Sequence, residues 1–224
     1  MVRLLALVEG TTERNFCQRI LAPWLASANV SLSARVIGMP GHKGGVGSWD
    51  RAKREIIKLL RQERNSICTT MFDLYGLPQS WPGKAECVST SLRQRKAAIH
   101  IEQKIHEAIT AEIGDQARCR FIPYLSLHEY EALLFSDPAA LASVTQNPAN
   151  EVLFRKILTQ HETCEDINDD PATAPSKRIL KIASGYRKPV DGIIAAERIG
   201  LERMRKMCPH FDNWLKCLKS LGEK

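Results

Sequence analysis

Apolar residues run without a break from Val2 to Val8, apart from Arg3. A continuous rather than alternating run of this length predicts a strand buried on both faces, as in a parallel sheet. Phe16, Ile20, Leu21, Trp24 and Leu25 follow at helical spacing, with Thr11 or Thr12 placed to cap the helix and Pro23 placed to bend it. Leu32 to Ile37 predicts a second strand, and Trp49 to Arg64 a helix with Ile56, Ile57, Leu59 and Leu60 inward. Ile67 to Phe72 predicts a third strand, residues 91–113 a long helix, and Arg120 to Leu125 a fourth strand before a helix that begins near His128. Strands alternating with helices imply an α/β domain around a mostly parallel sheet of about four strands. After Asp137 the pattern becomes helical pieces broken by Pro138, Pro148, Pro171, Pro175 and Pro189, and the acidic, polar stretch His161 to Asp170 reads as a linker. The expected division is an α/β domain over residues 1–145 and a helical, basic C-terminal extension over residues 146–224.

The predicted strand ends carry the acids. Glu9 closes the first strand, and Glu13, four residues on, falls in the first turn of the helix. Asp73 closes the third strand, and His128-Glu129-Tyr130-Glu131 follows the fourth. In open α/β sheets ligands bind outside the carboxyl ends of the strands. Acids arriving there from separate strands suit Mg²⁺, which prefers oxygen ligands from a few carboxylates together with substrate phosphates and water. Each acid also has an ordinary reading. Glu13, Glu129 and Glu131 can favour a helix start through its dipole, and Asp73 can be a turn residue. Their coincidence at matching ends of separate strands is what points to a site.

The loop Gly38 to Ser48 contains Gly41-His42-Lys43-Gly44-Gly45. It is not a Walker A loop, because Lys43 is followed by Gly44 rather than Ser or Thr. As a glycine-rich loop it can meet substrate phosphate through backbone amides, with His42 and Lys43 as the polar contacts. Arg51, Lys53, Arg54, Lys58, Arg61 and Arg64 give one helix a basic face, read first as a solvated surface.

Composition narrows the partners. No apolar run approaches the roughly 20 residues of a membrane span, and the N-terminal apolar run reaches an acid too soon for a signal peptide. A cytoplasmic, bacterial-type protein is expected. The seven cysteines include no C-x-x-C pair, so they read as reduced, mostly buried thiols rather than a zinc site. The net charge of +7 lies in the tail: residues 176–224 hold 12 basic and five acidic side chains. A basic region near a metal site suits nucleic acid, whereas an aromatic content of 6% does not favour a broad base-stacking platform.

Val8-Glu9-Gly10-x-Thr12-Glu13, with an acid at the end of a later strand, resembles the Toprim domain of primases, topoisomerases and the overcoming-lysogenization-defect nucleases. More closely, the chain resembles domain-of-unknown-function family 4276, which is Toprim-like. The matching pieces are the VEG-x-TE opening, Asp73 to Pro78 with Trp81-Pro82-Gly83, and Ile122-Pro123-Tyr124. Leu127 to Asp137, Pro175-Ser176-Lys177-Arg178 and Cys208-Pro209-His210-Phe211 complete them, so the resemblance spans nearly the whole chain.

The resemblance implies a Toprim-like Rossmannoid fold and a metal-dependent nuclease that cleaves phosphodiester bonds of DNA or RNA with Mg²⁺ or Mn²⁺. By that analogy Glu9 is a metal ligand or general base, and Glu13 supports a second ion. Asp73 matches the first acid of the Toprim Asp-x-Asp motif. The second acid is replaced by Tyr75, which leaves Glu129 or Glu131 to supply the missing ligand, Glu129 preferred. Lys177 is the candidate basic residue at the scissile phosphate, with Arg178 second. The same resemblance implies an ABC- or AAA-type ATPase partner, as in antiphage defence modules, and leaves an oligomer open. The alternative from another class is a degenerate Toprim-like subunit that binds nucleic acid or regulates an ATPase complex, with Tyr75 as its mark.

Overall fold

In the computed structural model, which describes residues 1–38, 46–90, 93–167 and 173–223, strand β1 (Val2–Val8) is the central strand of a parallel sheet. It pairs with β2 (Val30–Val36) on one side and with β3 (Ser66–Asp73) on the other. The fourth predicted strand is two short pieces, β4 (Phe121–Ile122) and β5 (Leu125–Ser126), both parallel to β3. Pro123 lies between them; it has no N–H to donate and interrupts the ladder. The order is β2-β1-β3-β4, with β5 also on β3, so the sheet is α/β and parallel as expected.

The alternation of side chains along β1 divides the interior. Leu4, Ala6 and Val8 face one layer, and Leu7 faces the other. The first layer holds the segment after β1: α1 (Thr11–Phe16), a π-helical turn over Cys17–Leu21, and α2 (Ala22–Ala26). The wide turn directly precedes Pro23, so the bend expected at the proline takes the form of a π-bulge. Neither Thr11 nor Thr12 caps this helix. Gly10 is the N-cap and no side chain caps it in the usual way, because the Glu13 carboxylate turns back toward the amides of Gly10 and Glu13. A Cβ on Gly10 would come within 2.9 Å of that carboxylate.

The second layer holds α3 (Trp49–Gln62), α4 (Lys84–Ser89) and α5 (Gln94–Ile113). The short α4 lies between β3 and the long helix, in a stretch where no element was read from the sequence. A further turn, α6 (Asp115–Arg118), leads into β4. Gly38 leaves β2 at φ +102, with the Arg51 guanidinium packed where a Cβ would stand. His42 and Lys43, and with them most of the glycine-rich loop, lie outside the described residues.

Beyond β5 a 3₁₀ run, Tyr130–Ser136, replaces the expected α-helix and buries every one of its residues. Then come α7 (Pro138–Ala142), α8 (Asn150–Leu158), α9 (Pro175–Ile182), α10 (Lys188–Ile199), α11 (Leu201–Met207) and α12 (Pro209–Ser220). These helices complete the first layer: Phe154, Ile193, Phe211 and Leu215 share one core with Leu4 and Phe16. The described part of the stretch read as a linker is packed. Cys164, Glu165 and Ile167 are buried, and the Glu165 carboxylate accepts from the backbone amides of His210 and Phe211 at 2.9 Å, capping α12. None of the seven cysteines forms a disulfide, and only Cys119 and Cys217 are exposed. Among the described residues no helix is long and apolar enough to cross a membrane.

The join between sheet and C-terminal helices is aromatic. Trp214 stacks on Tyr124 with ring centroids 4.2 Å apart and an interplanar angle of 8°, and its indole N–H donates to Thr69 Oγ1 at 2.9 Å. Replacing Trp214 by Ala is expected to destabilise the protein by about 3–5 kcal/mol, through lost packing and the loss of Thr69's donor. Urea denaturation followed by circular dichroism measures this, and a loss under about 1 kcal/mol would show that the C-terminal helices do not depend on this contact.

Candidate functional site

Val8 is level with Met71 in the β1–β3 register, so Glu9 and Asp73 leave neighbouring strands at nearly the same height. They touch: Glu9 Oε2 accepts a hydrogen bond from the Asp73 backbone N–H at 3.2 Å. Asp73 in turn is level with Ser126 on β5, which brings the following segment, with Glu129 and Glu131, to the same rim. The chain turns in opposite directions from β1 and β3, to β2 on one side and β4 on the other. Their carboxyl ends therefore flank the point where the strand order reverses, the usual place for a ligand crevice.

Five acids from three strand ends thus share one field. Burial raises the Glu9 carboxyl above its usual range, and the charges of Glu13 and Glu129 add to this. Burial likewise raises Glu13. Asp73 is pushed well above the usual carboxylate range by burial and then by Glu9, Glu13, Glu129 and Glu131. Glu131 is pushed up to about 7, chiefly by its burial at 2% exposure. Glu129 runs the other way. Against the cost of its burial, hydrogen bonds from Ser176 and the charge of Lys188 hold it below its usual range.

The partners of Glu129 are specific. Its Oε2 accepts from the Ser176 backbone N–H at 2.9 Å, and its Oε1 accepts from the Tyr75 hydroxyl at 3.2 Å. Lys188 Nζ lies 3.5 Å from Glu129 Oε1 and 3.4 Å from Glu131 Oε2, so one ammonium bridges both acids. The other oxygen of Glu131, Oε1, is buried without a hydrogen-bond partner. Tyr75 is here a neutral donor that fixes Glu129. Among the described residues, no three His, Cys, Asp or Glu side chains already form a ready metal cage. Like charges at one rim repel, and the Lys188 ammonium offsets the repulsion at Glu129 and Glu131.

The sequence placed the basic residue differently. Lys177 is exposed on α9, and the Arg178 guanidinium donates to the Thr173 carbonyl at 2.7 Å. What α9 brings to the rim is the backbone amide of Ser176. The cation at the rim is Lys188, the first residue of α10, with Pro189 behind it. A positive side chain at a helix N-terminus opposes the helix dipole, so it needs an acidic partner from elsewhere in the fold. That was the one legible signal for Lys188, and it names no partner.

Residues 8–219 match the family described as a domain of unknown function (DUF4276). No curated protein matches the chain significantly. One solved structure, the C-terminal region of the Xanthomonas campestris pv. campestris OLD protein, superposes with a TM-score of 0.42 and 14% identity. The match covers 100% of this chain and 97% of that one. A likeness at that score supports no transfer of function.

The raised carboxyls make stability depend on pH. A group whose folded pKa lies above its unfolded value stabilises the fold fully below the unfolded value, and that contribution is lost as pH rises through the folded one. For Glu131 the window runs from its ordinary 4.5 to about 7. Glu129, with its lowered pKa, loses its contribution only below the ordinary range, outside this window. In metal-free buffer the melting temperature is therefore expected to rise as pH falls from 8 toward 5, and Glu131→Gln should flatten the dependence and raise the melting temperature at pH 8. Scanning calorimetry decides; an unchanged slope in Glu131→Gln would mean that this carboxyl is charged throughout.

Proposed function

The chain belongs to the DUF4276 family, and we propose that it is a metal-dependent nuclease that hydrolyses phosphodiester bonds of DNA or RNA. The observation that carries this reading is the convergence of Glu9, Glu13, Asp73, Glu129 and Glu131 on one rim at the point where the strand order reverses. Buried carboxyls with raised pKa values weaken the fold at a pH where they must ionise. The cluster becomes favourable when a cation and a phosphate arrive together.

The residues suit Mg²⁺ or Mn²⁺. The donors are carboxylate oxygens, the hard kind that both ions take, and Glu131 keeps a buried oxygen without a partner. Glu9 and Asp73 would hold the ion, with Glu13 and Glu131 to supply further oxygens. Such an ion would polarise a bound phosphate and favour hydroxide over water at neutral pH. The chain's own groups do the rest. The Glu9 carboxylate, held by the Asp73 amide, would accept a proton from an attacking water. Lys188, partly exposed between Glu129 and Glu131, presents a positive charge to a non-bridging phosphate oxygen. Tyr75 and Ser176 keep Glu129 oriented toward Lys188. The basic excess of residues 176–224 gives a polyanion a favourable approach. By the resemblance of the family to Toprim nucleases, the biological setting we favour is the effector of an ATPase-linked antiphage module, with ATP hydrolysis supplied by the partner.

A second reading rests on Tyr75 and Lys188. A phenol stands in for the second motif acid, and an ammonium already neutralises Glu129 and Glu131. A subunit that binds nucleic acid without cutting it, or that regulates an ATPase, would carry such a rim.

Cleavage of labelled plasmid DNA and total tRNA with Mg²⁺ or Mn²⁺ separates the two. On the nuclease reading, Glu9→Gln and Asp73→Asn each remove cleavage while the melting temperature does not fall. Lys188→Met lowers the rate about a hundredfold, far more than Lys177→Met does. Salt-sensitive binding without cleavage in any condition would favour the second reading. Full activity in Glu9→Gln would overturn the site itself.

A further inference from the structure

Beside the acid rim lies a pocket of about 340 Å³ between the turn after β3 and helices α4 and α5. Leu74, Ala97, Ile101 and Leu127 give it an apolar floor, and Lys84 and His128 stand among its polar edges. The pocket and the rim share a wall. Tyr75 lines the pocket while its hydroxyl donates to Glu129 at 3.2 Å, and His128, which also lines it, directly precedes Glu129. Lys84 is anchored at the edge by its hydrogen bond to the Leu74 carbonyl at 2.8 Å.

The shape and chemistry of this space are those of a ring site. Pockets that hold small ligands begin at about 300 Å³, so this one takes a single heterocycle with part of its sugar and not a base pair. Most of its lining is apolar, Lys84, Gln94 and His128 add polar groups, and Tyr75 and His128 bring aromatic rings, a combination that suits an unpaired base. Its position adds the decisive constraint. A nucleic-acid strand with a phosphate at the rim carries a base on the adjoining sugar, and Tyr75 borders both compartments, lining the pocket while its hydroxyl bonds Glu129. A base inside a duplex is paired and stacked and cannot enter unless it is flipped out.

We infer that this pocket is a nucleobase subsite that takes one unpaired base next to the phosphate at the acid rim, so that the substrate is single-stranded or locally opened nucleic acid. The inference rests on the phosphodiester reading of the rim. Its test reads binding rather than cleavage, so the two can fail separately.

Fluorescence anisotropy of labelled single-stranded oligomers in Ca²⁺, with their integrity checked on a gel, gives the first measurement. The wild-type chain should bind a normal oligomer at least fivefold more tightly than an abasic oligomer of the same length or a duplex of the same sequence. Ala97→Leu, which fills the floor of the pocket, should reduce that preference to less than twofold and leave affinity for the abasic oligomer unchanged. Equal wild-type affinity for normal and abasic oligomers would overturn the subsite, as would an equal loss on both in Ala97→Leu. A second measurement needs no variant: an oligomer with one 4-thiothymidine, irradiated on the wild-type chain, should crosslink to Tyr75, Cys87 or His128. Crosslinks confined to other surfaces overturn the inference even where Ala97→Leu fails to fold. Base-dependent binding that Ala97→Leu removes, with no cleavage in any metal, would keep the subsite and discard hydrolysis at the rim.

Discussion

Burial of a cluster of carboxyls that also repel one another is the constraint around which this fold is arranged. Five acids reach one rim because three parallel strands end there, and bringing them together raises the pKa of Glu9, Glu13, Asp73 and Glu131. Water could screen such a cluster on an open surface, but here burial is the largest cause of each rise. The compensation comes from two helices far along the chain. α10 delivers the Lys188 ammonium, and α9 delivers the Ser176 amide to Glu129. The C-terminal helices are therefore part of the rim as well as part of the core.

A set of buried contacts fixes where those helices stand. Trp214 stacks on Tyr124 and reaches Thr69 in the middle of β3, while Glu165 caps α12. Glu102, from α5 in the opposite layer, accepts from the Leu125 backbone N–H at 2.8 Å and meets His210 of α12 at 3.0 Å. This carboxylate holds β5, the strand that leads into Glu129, and the start of α12 at once. The charge of Glu102 also keeps the buried His210 imidazole above its usual range, despite the opposing effect of burial. One polar chain thus crosses from the α5 layer through the sheet edge to the C-terminal helices, and the height of Glu129 at the rim follows from it.

The parts of this arrangement that were legible in the sequence are those fixed by local pattern. The continuous apolar run of β1 and the helical spacing of α3 each declare their element, so the strand ends, and with them Glu9 and Asp73, could be located to within a residue or two. Elements set by neighbours were less legible. Pro123 split the fourth strand in two, the 3₁₀ run at Tyr130 has the composition of a helix, and α4 lay hidden in a segment rich in Pro and Gly. Lys188 was out of reach for a stronger reason. It stands 57 positions beyond Glu131 in the chain, and nothing about residue 188 itself says which acids the packing of α10 will bring to it. Lys177, carried over from a motif, is exposed on α9, and the contact that α9 makes with Glu129 is the Ser176 amide.

The rim is not symmetric, and the asymmetry bears on the proposed chemistry. Lys188 acts on Glu13, Glu129 and Glu131, whereas the leading influences on Asp73 are burial and four other carboxylates. Glu9 likewise gains only the Asp73 amide against its burial and two acids. An added cation therefore gains most beside Glu9 and Asp73, where charge is least compensated, and least beside Glu129, where an ammonium and two hydrogen bonds already serve it. Tyr75 fits this division. An acid at that position would set one more negative charge against Asp73 and Glu129, while the phenol donates to Glu129 and lines the neighbouring pocket. On the proposed reading, the residue that departs from the Toprim motif separates the side of the rim that binds an ion from the side that receives a base.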